Sequence, residues 1–366
     1  MRCWVLLWVL LGTAACASQS DTVVTDGGAS RDGDRYINDN GSWEMNVGAA
    51  IKASLSSEWV DKSPKDPLPL RPLNQDELLS HDEPVLYRLG HSSILIKLGE
   101  DFVLTDPVFS KRASPVQWAG PKRFHPAPIA IDELPHLTAV VISHDHYDHL
   151  DSGSIQQLAG KVDYFVVPLG VGAHLARWGV EEEAIIELDW WEEVDLEGLE
   201  FIATPSQHFS GRGLTDRNRT LWASWVIRGA GANLYFTGDT GYFDGFREIG
   251  ERYGPFDITM IENGAYNPAW RQVHMMPEES IQAHLDLGGR AMLPIHNSTF
   301  DLSLHPWYEP LERTSLLAAE QDIELLTPVI GAPVFIREPQ PTYAWWRDEV
   351  PEHRLAAIRA DACEAC

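Results

Sequence analysis

Hydrophobic positions in this chain fall mostly into short runs. Val85–Leu89, Ser93–Lys97 and Phe102–Thr105 are apolar or β-branched and are punctuated by Gly90-His91 and Gly99-Glu100-Asp101, which predicts three strands in a meander. The same signature recurs at Thr138–Ile142, Tyr164–Val167, Ala184–Leu188, Glu200–Ala203, Leu221–Ile227, Asn233–Phe236, Asp257–Met260 and Ala291–Ile295. Helical patterns lie between them. Ser152–Leu158 is one, and Val171–Trp178, closed by Gly179, is another. A third begins at Pro277 with Glu278 and Glu279 in its first turn and ends at Leu287 before Gly288-Gly289. Strands arriving in runs with helices inserted predict an α/β architecture of two sheets covered by helices, in one domain over residues 85–338.

Outside that domain the pattern changes. Met1–Cys16 has one basic residue, a short apolar run and small residues at its end, so residues 1–17 read as a bacterial-type secretory signal. Thr13-Ala14-Ala15-Cys16 resembles a lipobox, which implies a lipoprotein carrying its acyl chains on Cys16; cleavage after Ala17 is the alternative. Residues 18–84 read as a tether, polar from Ser18 to Asp34, followed by a Pro-rich arm in which Trp43 and Trp59 are candidate anchors. Residues 339–366 read as a C-terminal tail ending in Cys363-Glu364-Ala365-Cys366, a pair read as structural or incidental rather than redox-active. The expected location is the bacterial cell envelope, with the protein membrane-anchored or otherwise periplasmic or secreted.

A formal net charge of -26 argues against nucleic acid and against an anionic lipid surface as electrostatically steered partners. Membrane contact is therefore expected through acyl chains or apolar patches. The adjacent Trp190 and Trp191, in an acidic setting, are the expected patch.

The chemistry concentrates in Ser143-His144-Asp145-His146-Tyr147-Asp148-His149-Leu150, directly after an apolar run. Three imidazoles and two carboxylates in so short a loop are costly to bury without a divalent cation. Three further potential ligands each follow another apolar run: His208 after Ala203, Asp239 after Phe236 and His296 after Ile295. Singly these are weak signals. With His144, His146, Asp148 and His149 of the octet they make five His and two Asp, close to what two zinc ions need.

The pattern His-x-His-x-Asp-His with a distant His, Asp and His resembles the metallo-β-lactamase superfamily. Leu104–Pro115, Gln207–Arg212, Asp216-Arg217-Asn218, Leu221–Trp225, Gly238–Tyr242, Gly254–Asp257, Gly264-Ala265-Tyr266 and His274 with Pro277-Glu278-Glu279 further resemble its N-acylphosphatidylethanolamine phospholipase D branch. The resemblance implies an αββα four-layer sandwich and two zinc ions, with iron or manganese also suited to the ligands. One zinc would sit on His144, His146 and His208, the other on Asp148, His149 and His296, with Asp239 bridging. It implies a lipid or small-molecule phosphodiester as substrate. Asp145 and His274 are candidate catalytic helpers beside Asp239, and Arg212 and Tyr266 are candidate substrate contacts; His91, His125, His284 and His305 are assigned structural roles. Two segments depart from the branch: Ile261-Glu262-Asn263 replaces Pro-Ile, and His296-Asn297-Ser298 replaces His-Trp-Gly. Lactone or other ester hydrolysis is the alternative activity, and a non-catalytic metal-binding lipoprotein the third.

Overall fold

The computed structural model describes residues 22–23, 28–39, 41, 48 and 61–364. The secretory signal, Cys16, Trp43, Trp59 and Cys366 lie outside the described residues, and of Cys363 only the backbone is described.

Three short strands, β1 (Thr22–Val23), β2 (Arg31–Asp32) and β3 (Arg35–Tyr36), form a small sheet. Two seven-stranded sheets follow. The first contains β4 (Val85–Gly90), β5 (Ser93–Leu98), β6 (Asp101–Thr105), β7 (Leu137–Val141), β8 (Val162–Pro168) and β9 (Ile185–Leu188). The second contains β10 (Glu193–Leu196), β11 (Leu199–Thr204), β12 (Ser224–Gly229), β13 (Ala232–Phe236), β14 (Phe256–Glu262), β15 (Gly289–Ile295) and β16 (Glu324–Leu325), while β17 (Pro333–Phe335) returns to the edge of the first sheet beside β4. Each sheet is antiparallel over its first four strands and parallel over the rest.

The continuous apolar runs are explained by burial of both faces. In β4 to β7, Leu86, Ile94, Ile96, Val103, Ala139 and Val141 point toward the second sheet and meet Phe201, Trp225, Phe236 and Met260. The alternate residues Tyr87, Leu95, Leu104 and Val140 point outward and pack with Ile155, Leu158 and Leu175, from the Ser152–Leu158 and Gly172–Arg177 helices. Outside the second sheet, Phe246, Ile249, Ile281 and Ala318 of the Gly245–Tyr253, Pro277–Asp286 and Glu309–Glu320 helices cover Ile202, Val226 and Met292. These layers make the αββα sandwich.

Three expectations need correction. Trp190 is buried and its indole donates to Trp222 O, while Trp191 stacks on Tyr253 beneath the Arg252 guanidinium, so the pair is no exposed apolar patch. Residues 221–223 precede β12 and do not belong to it. Residues 339–364 of the expected tail are not loose: they carry the Trp346–Glu349 and Glu352–Glu364 helices, and Trp345, Trp346, Leu355 and Ile358 bury against Trp307 and Leu311. Glu312, fully buried, accepts hydrogen bonds from Trp346, Arg347 and Arg359 and ties that segment down. The Pro-rich arm packs on the domain through Leu73 and Leu78, which join the outer core.

Candidate metal centre

The carboxyl ends of β4, β6, β7, β11, β13, β14 and β15 run in one direction within their sheets, so the residues just beyond them collect on a single rim. The octet follows β7. Its start is pinned across the sheets: Trp225 Nε1 donates to Ile142 O at 3.0 Å and Ala223 N to Ser143 O at 2.9 Å. A Cβ on Gly238 would stand 2.3 Å from Ser143 Cβ, so only glycine lets the turn carrying Asp239 approach this closely.

Two groups of donors result. His144 Nε2 lies 2.8 Å from His146 Nδ1, and His208 Nε2 lies 3.3 Å from the same nitrogen. Asp148 Oδ2 lies 3.5 Å from His149 Nε2 and 3.2 Å from His296 Nε2. Asp239 stands between them: Oδ1 is 3.2 Å from His149, and Oδ2 is 3.1 Å from His296, 3.8 Å from His208 and 3.9 Å from His144. Donors about 2.1 Å from a tetrahedral ion stand about 3.4 Å apart, which these separations bracket. His149 Nε2 and Asp239 Oδ1 are buried without a hydrogen-bond partner, as atoms reserved for an ion would be. The donor set thus fits two divalent cations.

The electrostatics divide the donors. Burial opposes the charge on His149 and His296, but Asp239 and Asp148 outweigh it and hold His149 well above the ordinary imidazole range and His296 up at about 10. These two rings carry protons that a bound ion would displace. Burial, helped by neighbouring imidazoles, pushes His144 and His208 well down, leaving neutral rings with a lone pair to offer. Burial works against the charge on Asp148 and Asp239, but His149 and the other imidazoles more than offset it and hold both carboxyls well below the usual range.

The ring nitrogens facing away are anchored too. His208 Nδ1 meets Val273 O at 3.0 Å and His149 Nδ1 meets Asp106 Oδ2 at 2.6 Å. Such partners fix which nitrogen is free. Asp106, buried with φ +34°, also accepts from Ser143 N and Oγ; sequence reasoning passed over it, although an Asp-Pro pair ending an apolar strand was the available signal. His91, assigned a structural role above, sits in this site: Nε2 is 3.1 Å from Asp148 Oδ2 and its ring lies 4.1 Å from that of His296. Burial and the His296 charge push its pKa down to about 3. His91, Asp106, Ala265, His296 and Ser298 all adopt positive φ, so backbone strain gathers at this rim. Also unforeseen is Asn38, whose side chain donates to His208 O at 2.9 Å and accepts from His208 N at 3.0 Å.

The other candidates separate. His274 joins the cluster with Asp239 and His296, and its Nδ1 faces Glu262. Asp145 turns away, accepting from Gly211 N and Thr220 Oγ1 with His174 at 3.5 Å; it orients no proposed ligand but braces the octet against the loop after His208. Burial would raise its pKa, but the His174 contact, His146 and Gly211 N outweigh that and lower it. Arg212 is not aimed at an anion. Its guanidinium donates to Asp145 O and Leu150 O and lies over Tyr147 and Trp178. Tyr266 is buried, with its hydroxyl on Glu309 and its ring stacked on His305. Neither lines the cavity beside the clusters. That cavity, of about 270 Å³, is bounded by His146, Asp148, Asp239, His274 and His296 together with Phe209, Ala265, Trp270, Val273 and Leu302.

A four-layer sandwich with paired His/Asp clusters at its rim defines a metal-dependent hydrolase of the metallo-β-lactamase fold, and the beta-lactamase superfamily domain matches residues 102–297. More narrowly, the chain belongs to the branch similar to N-acylphosphatidylethanolamine phospholipase D. It is 35% identical over 274 residues to N-acyl-phosphatidylethanolamine-hydrolyzing phospholipase D 1 of Caenorhabditis elegans, covering 70% of this chain and 76% of that one. It is 47% identical over 262 residues to an uncharacterized protein of Mycobacterium tuberculosis, covering 70% of each. Among solved structures, the isothiocyanate hydrolase from Delia radicum gut bacteria shares the fold at 19% identity and a TM-score of 0.54, over 68% of this chain and 98% of that one. CmlA, a diiron β-hydroxylase from Streptomyces venezuelae, does so at 18% and 0.53, over 70% and 55%.

Proposed function

We propose that this protein is a zinc-dependent phosphodiesterase that cleaves a phospholipid such as an N-acylated phosphatidylethanolamine, releasing an alcohol and a phosphomonoester. The observation that carries the reading is the sharing of Asp239 between two donor clusters that open into a part-apolar cavity. The name of the nematode relative supports the substrate class. His144, His146 and His208 would hold one ion, Asp148, His149 and His296 the other, with Asp239 between them. When bound, such a pair supplies hydroxide at neutral pH and neutralises charge on a phosphoryl oxygen. Iron or manganese suits the same donors.

The chain's own residues do the rest. Phe209, Trp270, Val273 and Leu302 offer apolar surface to the substrate's chains and exclude water. His274, on the cavity, faces the departing oxygen. Arg212 and Asp145 keep the octet in place from behind. Export and an acyl anchor on Cys16 would bring this rim to a membrane; retention of wild type, but not Cys16→Ser, in the membrane fraction tests that part.

The central test is metal stoichiometry with a substrate panel, comparing wild type with Asp239→Asn. About two metals per chain and phosphodiester turnover lost on chelation and in the variant are expected. Turnover of lactones alone would overturn the substrate reading, and full activity after chelation would overturn the mechanism.

A further inference from the structure

Neither donor cluster uses Glu262, the last residue of β14, which is fully buried at the edge of the site. Its Oε2 accepts from Met275 N at 2.9 Å, and its Oε1 lies 3.1 Å from His274 Nδ1 and 3.8 Å from His296 Nδ1. The backbone around it is held as well: Glu262 N donates to Thr237 Oγ1 and Ser280 Oγ donates to Glu262 O. His274 is 15% exposed and borders the cavity. With one nitrogen taken by Glu262, Nε2 is the nitrogen left for a substrate. This is also where Ile261-Glu262-Asn263 departs from the branch pattern.

We propose that Glu262 is a positioning residue that holds His274 as its Nδ1–H tautomer, leaving the Nε2 lone pair toward the cavity as a proton acceptor. A carboxylate can accept from Met275 N through one oxygen and from the imidazole through the other. An amide of the same shape cannot accept twice: with its oxygen on Met275 N, its NH2 meets Nδ1 and drives the proton to Nε2.

The proposal rests on the phosphodiesterase reading for its chemistry. Before attack, the water gives a proton to His274 Nε2 and becomes hydroxide. As the hydroxide oxygen bonds to phosphorus, the bond from phosphorus to the alcohol oxygen breaks with its electron pair on that oxygen, which His274 faces, and Nε2 delivers the proton there. The products are an alcohol and a phosphomonoester, and no redox partner is needed.

The test compares wild type, Glu262→Gln, Glu262→Asp, His274→Ala and the Glu262→Gln/His274→Ala double variant, as metal-loaded full chains. One substrate is an N-acylated phosphatidylethanolamine in mixed micelles, whose alkoxide must be protonated; the other is bis(p-nitrophenyl) phosphate, whose phenolate leaves unaided. For Glu262→Gln, kcat on the lipid should fall about 100-fold or more with KM nearly unchanged, in the range general acid–base catalysis supplies. The loss on the nitrophenyl diester should be about tenfold smaller, because only the first proton transfer is affected. The double variant should be no slower than His274→Ala, and Glu262→Asp should recover part of the rate. Equal losses on both substrates, additive losses in the double variant, or loss of bound metal in Glu262→Gln would overturn the proposal. A second readout needs no substrate: 15N-edited NMR, with His274 assigned from the alanine variant, should show Nδ1–H in wild type and Nε2–H in Glu262→Gln. Nε2–H in wild type overturns the proposal. If wild type cleaves no phosphodiester yet shows Nδ1–H, the substrate reading fails and the tautomer assignment stands.

Discussion

Replacing Asn38 by alanine should weaken metal binding from outside the metal centre. Asn38 is buried and reaches the His208 backbone through two hydrogen bonds, at 2.9 and 3.0 Å, while also accepting from Trp222 Nε1 at 3.1 Å. The Trp222 indole keeps a second partner in Ser206 O at 2.9 Å, so the variant orphans two groups, His208 N–H and C=O. A buried group left unpaired costs about 1–3 kcal/mol, and partial entry of water into the vacated volume favours the lower end, so the total is about 2–3 kcal/mol. Freed from its clasp, His208 must be reordered each time an ion binds. At about 1.4 kcal/mol per tenfold, the first ion's affinity falls by up to about 100-fold. Competition against a chromophoric chelator measures this, and the metal-free variant should also melt several degrees lower. Asn38→Asp, which keeps the acceptor and loses the donor to His208 O, should fall between. Wild-type affinity and melting temperature in Asn38→Ala would refute the reasoning.

Asp106→Asn should cost about 10- to 100-fold in affinity for the ion on the His149 side, read by metal titration, because Asp106 orients that ring through its Nδ1. Glu312→Gln should destabilise the chain by about 1–2 kcal/mol in denaturant unfolding, a figure discounted because Arg347 and Arg359 are partly exposed although Glu312 is not. His125 and His284 are held neutral by burial, at about 3 and about 4 against 6.5 when unfolded. Below pH 6.5 the unfolded chain therefore binds more protons, and stability is lost as pH falls toward 4, at up to about 1.4 kcal/mol per pH unit for each histidine. Urea unfolding of wild type and His284→Gln from pH 7 to 4.5 should show a shallower slope in the variant.

Much of the sandwich was readable because both faces of its strands are buried, so their runs are apolar without interruption; the strand at Ala291–Ile295 and the Pro277 helix are examples. Elements whose identity is set by tertiary contact escaped. The Trp346–Glu349 and Glu352–Glu364 helices lack a strong apolar stripe and depend on Glu312, more than thirty residues earlier. The seven metal-donor candidates stood out because imidazoles and carboxylates at strand ends are chemically conspicuous. The residues that hold them did not. Nothing local marks Asn38 as a partner of His208, 170 residues away, or Glu262 as a partner of His274. Arg212 and Tyr266 failed as substrate contacts for the converse reason, since a charged or phenolic side chain near a site satisfies its hydrogen bonds with whatever backbone or carboxylate is nearest.

The donors divide by origin: His144, His146, Asp148 and His149 follow β7 of the first sheet, whereas His208, Asp239 and His296 follow β11, β13 and β15 of the second. Each proposed ion thus takes ligands from both sheets, and loading is a mechanical event as well as a chemical one. An occupied rim would act as a rivet against shear of one sheet past the other at the edge where the cavity opens.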